Sequence, residues 1–160
     1  WYPYPDKLTG VGLDVSSKTK RYYATNMIRA NGKQLPFANN SFDWVHSNAV
    51  LEHVGNDSQQ EAFIRELYRV SSKGVMMTTP DRYFPFDLHT SLPLIHWLPK
   101  PIHRLLLKMI GLKELAREED LNLIGKSNAK RLGYTITHAT YVKNVKLFGW
   151  SSNLLIWLRK

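Results

Sequence analysis

Three ionisable side chains of this chain stand where its sequence pattern changes, and each could act as a general base. His53 precedes a segment with helical periodicity, Asp81 follows an apolar strand, and His89 interrupts an aromatic segment. Burial and neighbouring charges can shift the pKa of such groups towards neutral, which suits proton transfer. We therefore predict His53, His89 and Asp81 as candidate catalytic residues. The alternatives are that His53 packs at the start of a helix and that Asp81 forms a local turn with Arg82.

Other kinds of catalytic site have little support in the sequence. The chain contains no cysteine, which excludes disulfides, thiolate metal sites and cysteine nucleophiles. None of its histidines forms a His-x-x-x-His or Glu-x-x-His pair. They are His46, His53, His89, His96, His103 and His138. No serine stands in a nucleophile-elbow pattern. We therefore predict no metal site.

The composition is that of one globular domain with a basic surface. Of its 160 residues 43% are apolar and 12% aromatic, which is enough for a packed core. The formal net charge is +9, but the chain has no block of about five or six like charges. We expect a solvated basic surface rather than a specific nucleic-acid site. No apolar run reaches the roughly eighteen residues of a membrane span, no secretory signal pattern is present, and the lack of cysteine fits a cytoplasmic location.

The first half of the chain alternates strand and helix patterns, which predicts an α/β fold. A helix is predicted from Ser58, whose spacing to Glu61 is that of a capping box, and Gly74 is predicted as its left-handed stop. The strand patterns are Leu8–Leu13, Tyr22–Ile28, Phe42–Ser47 and Val75–Thr79.

The second half begins with a predicted helical insert at about residues 84–125. Its main helix is Pro101–Ile110, with proline in the first turn. One stripe of this helix is apolar and contains Ile102, Leu105, Leu106 and Met109. We expect the helix to pack on the core; a lid over a binding site and a membrane-surface helix are the alternatives.

A short helix and two strands are predicted to close the chain. The helix pattern is Ser127–Leu132, ending at Gly133. The strand patterns that follow are Tyr134–Val142 and Val145–Leu158, and they would form an antiparallel pair.

The most specific stretch of the sequence is Ala30–Val54. It contains Leu-Pro-Phe at 35–37, Ser-Phe-Asp-x-Val at 41–45 and Val-Leu-Glu-His-Val at 50–54. This order resembles the central part of class I S-adenosylmethionine-dependent methyltransferases, in particular the branch acting on small molecules and lipids. The helix-Gly-strand-Thr-Thr-Pro order that ends at Pro80 is also similar to that family.

The resemblance implies S-adenosylmethionine as the cofactor, bound outside the carboxyl ends of the strands. The ribose hydroxyls would donate to Asp14, Asn31 would read the adenine amino group at a position where the family usually has aspartate, and the segment from Ser47 would run beside the methionine moiety. The cofactor-binding residues that the resemblance implies are Asp14, Asn31, Gly32, Ser47, Asn48 and Ala49.

The Gly10-x-Gly12 segment has two interpretations. It could begin the glycine-rich cofactor loop, where backbone approaches the ligand closely. It could instead belong to the second strand of the family's sheet, with Asp14 just after it. The distance to the Leu-Pro-Phe motif favours the second strand. We therefore expect the family's first strand and its glycine-rich loop to lie outside this chain.

These observations lead to one prediction of fold and function. We expect a Rossmann-like, open, mostly parallel sheet flanked by helices, without its first strand and with a C-terminal antiparallel pair. The function that the resemblance implies is methyl transfer from S-adenosylmethionine to a small-molecule or glycolipid acceptor. The alternatives are a catalytically inactive relative with an assembly role, and a basic module that binds nucleic acid or a membrane surface. Weak membrane contact and a homodimer that covers exposed sheet edges are further options.

Overall fold

The structure, a computed structural model, describes residues 3–15, 26–87 and 89–160. The strands are β1 (Thr9–Gly12), β2 (Asn26–Arg29), β3 (Phe42–Asn48), β4 (Ser71–Pro80), β5 (Phe86–Asp87), β6 (Leu92–Pro93), β7 (Thr140–Leu147) and β8 (Trp150–Arg159). The helices are α1 (Asp57–Val70), α2 (Lys100–Met109) and α3 (Lys126–Tyr134), with 3₁₀ turns at Pro5–Lys7, Leu51–His53 and Ile95–Trp97. The first residues of the predicted strand Tyr22–Ile28 lie outside the described residues.

The parallel strands fall into two separate ladders. β1 pairs with β2 in parallel, and both Gly10 and Gly12 lie within β1, so this segment is a strand. A second sheet has the order β3-β4-β8-β7, in which β3 and β4 are parallel and β8 is antiparallel to both neighbours. In the part of the chain that the structure describes, no ladder joins β1 to β3. The predicted α/β class with a C-terminal antiparallel pair is confirmed.

α1 covers the second sheet with one apolar face. Phe63, Ile64, Leu67 and Val70 recur at helical spacing and are all buried. α3 lies beside α1 and packs against β7 and β8. The buried core residues contributed by the strands and by α3 are Val75, Met77, Leu154, Ile156, Leu158, Ala129 and Leu132.

The ends of α1 differ from the sequence prediction. The capping box is formed by Asn56 and Gln59, because the Asn56 side chain accepts the Gln59 backbone N–H and the Gln59 side chain accepts the Asn56 N–H. The prediction of Ser58 as the cap was therefore wrong by two residues, since asparagine caps a helix as well as serine does. Gly74 does not stop the helix; it lies inside β4.

The loop after β2 runs along α1 and fixes the direction of the first ladder. Gly32 lies against the ring of Phe63, and the carbonyl of Phe37 accepts a hydrogen bond from Arg69 at 2.9 Å. The loop therefore travels towards the C-terminal end of α1, which directly precedes the start of β4. β2 consequently ends on the same side of the molecule as β3 and β4.

The turn between the last two strands lies later than predicted. β7 and β8 are joined at Phe148 and Gly149, whose φ angles are +50° and +85°. Two successive residues with positive φ are typical of a type I′ hairpin turn, whose backbone twist matches that of the strands. The strand patterns predicted a break between Val142 and Val145, which was wrong, because the apolar pattern on both sides did not locate the turn. α3 also continues through Gly133 to Tyr134.

The insert contains the short β5-β6 hairpin, the Ile95–Trp97 turn and α2. α2 packs inward through His103 and Leu107, whereas its apolar stripe faces outward: Leu105 is 58% exposed and Met109 73%. The expectation that this stripe is the packed face was wrong, since periodicity identifies an apolar face but not its partner. No helix among the described residues is long and apolar enough to cross a membrane.

Candidate active site

The ends of β3 and β4 are held together at the carboxyl edge of the sheet. The N–H of Ala49 donates to the carbonyl of Thr78 at 2.9 Å, and the Thr78 hydroxyl donates to the side-chain oxygen of Asn48. Ala49 has a φ of +51°, a left-handed conformation that is uncommon for a residue with a Cβ. Backbone of this kind is found at ligand sites more often than elsewhere. The segment predicted to bind the methionine moiety is thus a sharp, fixed turn.

Ser47 brings an unsatisfied polar group to this edge. Its side chain is buried, and its Oγ has no hydrogen-bond partner among the described residues. A buried hydroxyl without a partner costs free energy, and such groups are rare in folded proteins. A polar ligand at the strand end would satisfy it.

The residues predicted at the ribose and adenine follow β1 and β2. Asp14 is exposed and comes two residues after the end of β1. The Asn31 Oδ1 accepts the backbone N–H of Lys33 at 3.0 Å, which shapes the turn and leaves the amide at the surface. At Gly32 a Cβ would come within 2.5 Å of the Phe63 ring. Glycine at position 32 is therefore required for packing against α1.

Two of the predicted catalytic residues meet, although they are far apart in the sequence. The rings of His53 and His89 have centroids 4.9 Å apart at an interplanar angle of 70°. Glu52 is the third member of this group: its buried Oε1 lies 4.0 Å from Nε2 of His89. We call Glu52, His53 and His89 the strand-end cluster.

Hydrogen bonds from neighbouring segments orient the strand-end cluster. The carbonyl of Asp120 accepts a hydrogen bond from Nδ1 of His53 at 2.6 Å. The hydroxyl of Thr79, in β4, donates to Oε2 of Glu52 at 2.8 Å. The Glu52 backbone carbonyl in turn accepts the N–H of Asn122 at 2.7 Å. The turn at residues 51–53 is thus fixed between β4 and the segment 120–122.

His89 is paired with a buried carboxylate. Its ring Nδ1 lies 3.2 Å from Oδ1 of Asp87, which also accepts the His89 backbone N–H, while Thr90 donates to Oδ2. Burial raises the pKa of Asp87, but the hydrogen bonds from His89 and Thr90 outweigh it and lower the pKa to about 2. The hydrogen bond to Asp87 raises the pKa of His89 above its ordinary value despite partial burial.

Asp81 lies apart from the histidines. Its carboxylate accepts hydrogen bonds from the hydroxyl of Ser151 in β8, from Asn144 in β7 and from the backbone N–H of Tyr83. It is buried, and these contacts tie the end of β4 to the C-terminal hairpin. The structure therefore gives Asp81 the contacts of a structural residue, including the local turn that was the alternative interpretation.

Sequence reasoning missed Glu52 and Thr79. Glu52 stands in the Val-Leu-Glu-His-Val motif, so its place beside His53 was a usable signal. Thr79 belongs to a strand pattern and gave no separate signal. The pairing with His89 depends on the path of the β5-β6 hairpin, which no sequence spacing indicates.

A basic cavity adjoins the strand-end cluster. Lys100 at the start of α2 donates to the side-chain oxygen of Asn122, whose backbone also holds Glu52. The cationic and histidine side chains that line the cavity are Arg82, His96, Lys100, His103 and Arg104. Burial lowers the pKa of both Arg82 and His103, so desolvation is substantial here. Lys100 and Arg104 are also paired with the carboxylate of Glu118, at 3.5 and 3.0 Å, so the cavity suits a small polar group.

Comparisons with known proteins agree with this architecture. Residues 7–79 match a family model described as a methyltransferase domain. No curated protein matches the chain. The solved structure of an S-adenosylmethionine-dependent methyltransferase from Methanosarcina mazei is similar, with a TM-score of 0.58 at 16% identity over 95% of this chain and 81% of that chain.

Two further solved structures are similar at comparable levels. A protein from Thermotoga maritima described as a possible histamine N-methyltransferase has a TM-score of 0.56 at 14% identity, over 90% of this chain and 68% of that chain. The magnesium protoporphyrin IX methyltransferase of Synechocystis, solved with bound SAH, has a TM-score of 0.51 at 15% identity, over 89% of this chain and 56% of that chain. At these identities the likeness establishes the fold.

Proposed function

This chain has the class I S-adenosylmethionine-dependent methyltransferase fold and a matching domain motif, and we propose that it transfers a methyl group to a small-molecule or glycolipid acceptor. The observation that carries the proposal is the methyltransferase-domain match over residues 7–79, on a chain whose strand ends present the residues that the motif implies. We also propose that it acts in the cytoplasm, which the lack of cysteine supports.

The residues at the strand ends fit S-adenosylmethionine. Asp14 offers an exposed carboxylate for the ribose hydroxyls, and Asn31 offers an amide at the adenine position. The buried Oγ of Ser47, which has no hydrogen-bond partner among the described residues, supplies a hydrogen-bonding group at the end of β3, where the methionine moiety would lie. Asn48 and Ala49 hold this turn in its conformation through Thr78.

The chain would contribute mainly positioning and desolvation. When bound, S-adenosylmethionine supplies a methyl group on a positively charged sulfur, which becomes a neutral thioether when the C–S bond breaks. A hydroxyl acceptor also gives up one proton as its oxygen gains the methyl group. The strand-end cluster lies at the same edge as Ser47 and is the group of side chains placed to receive that proton.

The exposed face of α2 supports an acceptor with an apolar portion. Leu105 and Met109 are mostly exposed, and Trp97 and Leu98 just before the helix are also partly exposed. Contiguous apolar surface of this kind marks binding sites for apolar partners. The basic cavity is lined by Lys100, His103 and Arg104 of this helix, so polar side chains lie beside the apolar face. A glycolipid combines an apolar and a polar portion.

Cofactor binding is tested by titrating S-adenosylhomocysteine into the chain by calorimetry. We expect saturable binding, weakened about tenfold or more in Asp14→Ala, because a carboxylate that accepts two hydroxyls contributes at least about 1.4 kcal/mol. Asp6→Ala is the matched control, since Asp6 is an exposed carboxylate of the first 3₁₀ turn. The absence of binding, or an equal loss in both variants, would contradict the proposal.

The acceptor class is tested with vesicles that contain a monoglycosyl lipid and with tritiated S-adenosylmethionine. We expect transfer of label to lipid and a loss of vesicle binding of about tenfold or more in Leu105→Ser/Met109→Ser, since each apolar side chain contributes about 1.5–3 kcal/mol when buried. Tyr134→Ser removes an exposed ring from α3 and serves as the control. Cofactor binding without vesicle binding would favour a water-soluble acceptor instead.

A further inference from the structure

The strand-end cluster brings together three side chains that each offer a metal-ligating atom. One ring nitrogen each from His53 and His89 and one carboxylate oxygen of Glu52 lie within 4.8 Å of one another. Two imidazoles and one carboxylate are a ligand set of catalytic zinc sites, in which the fourth position stays open. Neither histidine pair spacing nor Glu-x-x-His spacing indicated this set, because His89 comes from a separate segment.

Each of the two histidines has its Nδ1 at hydrogen-bond distance from an oxygen acceptor. The carbonyl of Asp120 can only accept, so Nδ1 of His53 carries the proton and Nε2 has the lone pair. The carboxylate of Asp87 holds Nδ1 of His89 in the same way. In a metal-binding histidine, the ring nitrogen that does not bind the metal usually donates a hydrogen bond to a carboxylate or a carbonyl. This hydrogen bond fixes the tautomer and increases the basicity of the nitrogen that binds the metal.

Glu52 provides an independent indication of a ligand. The residue is fully buried, and its Oε2 is satisfied by the hydroxyl of Thr79. Its Oε1 has no hydrogen-bond partner among the residues that the structure describes, and it points to the side of His89. A buried carboxylate oxygen without a partner is costly. A cation at the centre of the cluster would satisfy it.

We propose that Glu52, His53 and His89 bind a divalent transition-metal ion of the zinc type. Zinc bonds to nitrogen and oxygen are about 2.0–2.2 Å long, so the three ligand atoms must approach one another by about 1 Å. Glu52 is fixed by Thr79 and His89 is held by Asp87, whereas the side chain of His53 is exposed, so the ring of His53 makes most of this movement. A hydroxyl bound at the open position would lose its proton more easily.

The site is tested by direct metal binding, which does not depend on methyl transfer. The chain is stripped with a chelator, and ZnCl₂ is titrated by calorimetry, with Co²⁺ as a spectroscopic probe of coordination. We expect one equivalent of zinc to bind. Three variants should each weaken zinc binding about 100-fold or more: Glu52→Gln, His53→Ala and His89→Ala. Glu52→Gln keeps an acceptor for the Thr79 hydroxyl, and His53→Ala lies at the surface. Asp87→Asn should weaken zinc binding about 10–100-fold, as loss of a partner of a ligand does.

His138→Ala is the matched control, because His138 is exposed and lies outside the cluster. It should bind zinc as the unaltered chain does. Circular dichroism establishes that each variant is folded, and His53→Ala changes only a surface residue. Absence of a stoichiometric site would overturn the proposal, as would unchanged affinity in Glu52→Gln, His53→Ala and His89→Ala. Zinc binding without S-adenosylhomocysteine binding would support the metal site and contradict the proposed methyltransferase function.

Discussion

The hydroxyl of Thr79 in β4 donates to Oε2 of Glu52 at 2.8 Å, and both side chains are fully buried. This bond joins the end of β4 to the turn that follows β3. Replacing the hydroxyl by a methyl group leaves the buried carboxylate without its donor. We expect Thr79→Val to lower the free energy of unfolding by about 1–3 kcal/mol, measured by urea denaturation.

Thr78→Val is the control for this prediction. The Thr78 hydroxyl also bonds to a side chain, but that of Asn48 in an exposed position where water can replace it. The loss should therefore be clearly smaller. Equal losses in the two variants would mean that the bond to Glu52 has no special contribution.

The pairing of Glu66 with Arg69 should make stability depend on pH below about 4.5. The hydrogen bond from Arg69 lowers the pKa of Glu66, and the Leu35 N–H donates to the same carboxylate at 2.6 Å. Because the folded-state pKa lies below the unfolded value of 4.5, the stabilisation is complete above pH 4.5 and is lost as the pH falls through the folded pKa. In Arg69→Met this acid loss should be smaller when free energies of unfolding are compared between pH 6 and 3.

The exposed pair Glu61 and Arg65 on the same helix gives the comparison for this measurement. Arg65 donates to Glu61 at 2.7 Å across one helical turn, with a more exposed guanidinium. Surface pairs of this kind contribute little. Arg65→Met should therefore keep the acid dependence of the unaltered chain, and a matching change in both variants would argue against a special effect of Glu66.

Stability should also fall between neutral and mildly acidic pH because of His103. Burial lowers its pKa, and the cations Arg82 and Arg104, together with His96, lower it further, while Asp87 opposes them. A folded-state pKa below the unfolded value of 6.5 gives full stability above pH 6.5 and a loss as the pH falls through the folded pKa. His103→Gln should flatten the dependence of the unfolding free energy between pH 7 and 5.

His138→Gln tests whether that effect belongs to the buried histidine. His138 is exposed, so removing it should leave the pH dependence of the chain as it was. If His103→Gln retains the slope between pH 7 and 5, the burial of His103 does not control stability in this range.

Gly74 should tolerate no side chain. Its φ is +152°, and a Cβ would lie 2.3 Å from the carbonyl oxygen of Leu158 and 2.8 Å from the ring of Trp44. Strain and overlap together should make Gly74→Ala cost about 2–5 kcal/mol. Gly111 also has positive φ but has nothing near its Cβ position, so Gly111→Ala should cost only about 1–2 kcal/mol. Thermal unfolding of the two variants gives the comparison.

The sequence by itself determined the long helix after β3 and most of the main strands, but neither the β5-β6 hairpin nor the start of β7. One face of α1 has to be buried, so apolar residues repeat along it at helical spacing, and this pattern can be read directly from the sequence. They are Phe63, Ile64, Leu67 and Val70. The motifs between Ala30 and Val54 determined the order of the strands around that helix through the resemblance they carry. Local chemistry also contained the hairpin signal Phe148-Gly149, which the apolar pattern obscured.

Only the tertiary structure decided which side chains meet and which faces stay open. Glu52 and His53 follow β3, whereas His89 follows β5. They converge because contacts with β4, with segment 120–122 and with the β5-β6 hairpin bring these separate segments to one edge of the sheet. The exposure of the apolar stripe of α2 is likewise decided by which distant segments pack on the helix. Leu105 and Leu107 are equally apolar in the sequence, but Leu107 is fully buried whereas Leu105 is 58% exposed. Burial depends on contacts between distant segments, and periodicity within a single segment does not determine those contacts.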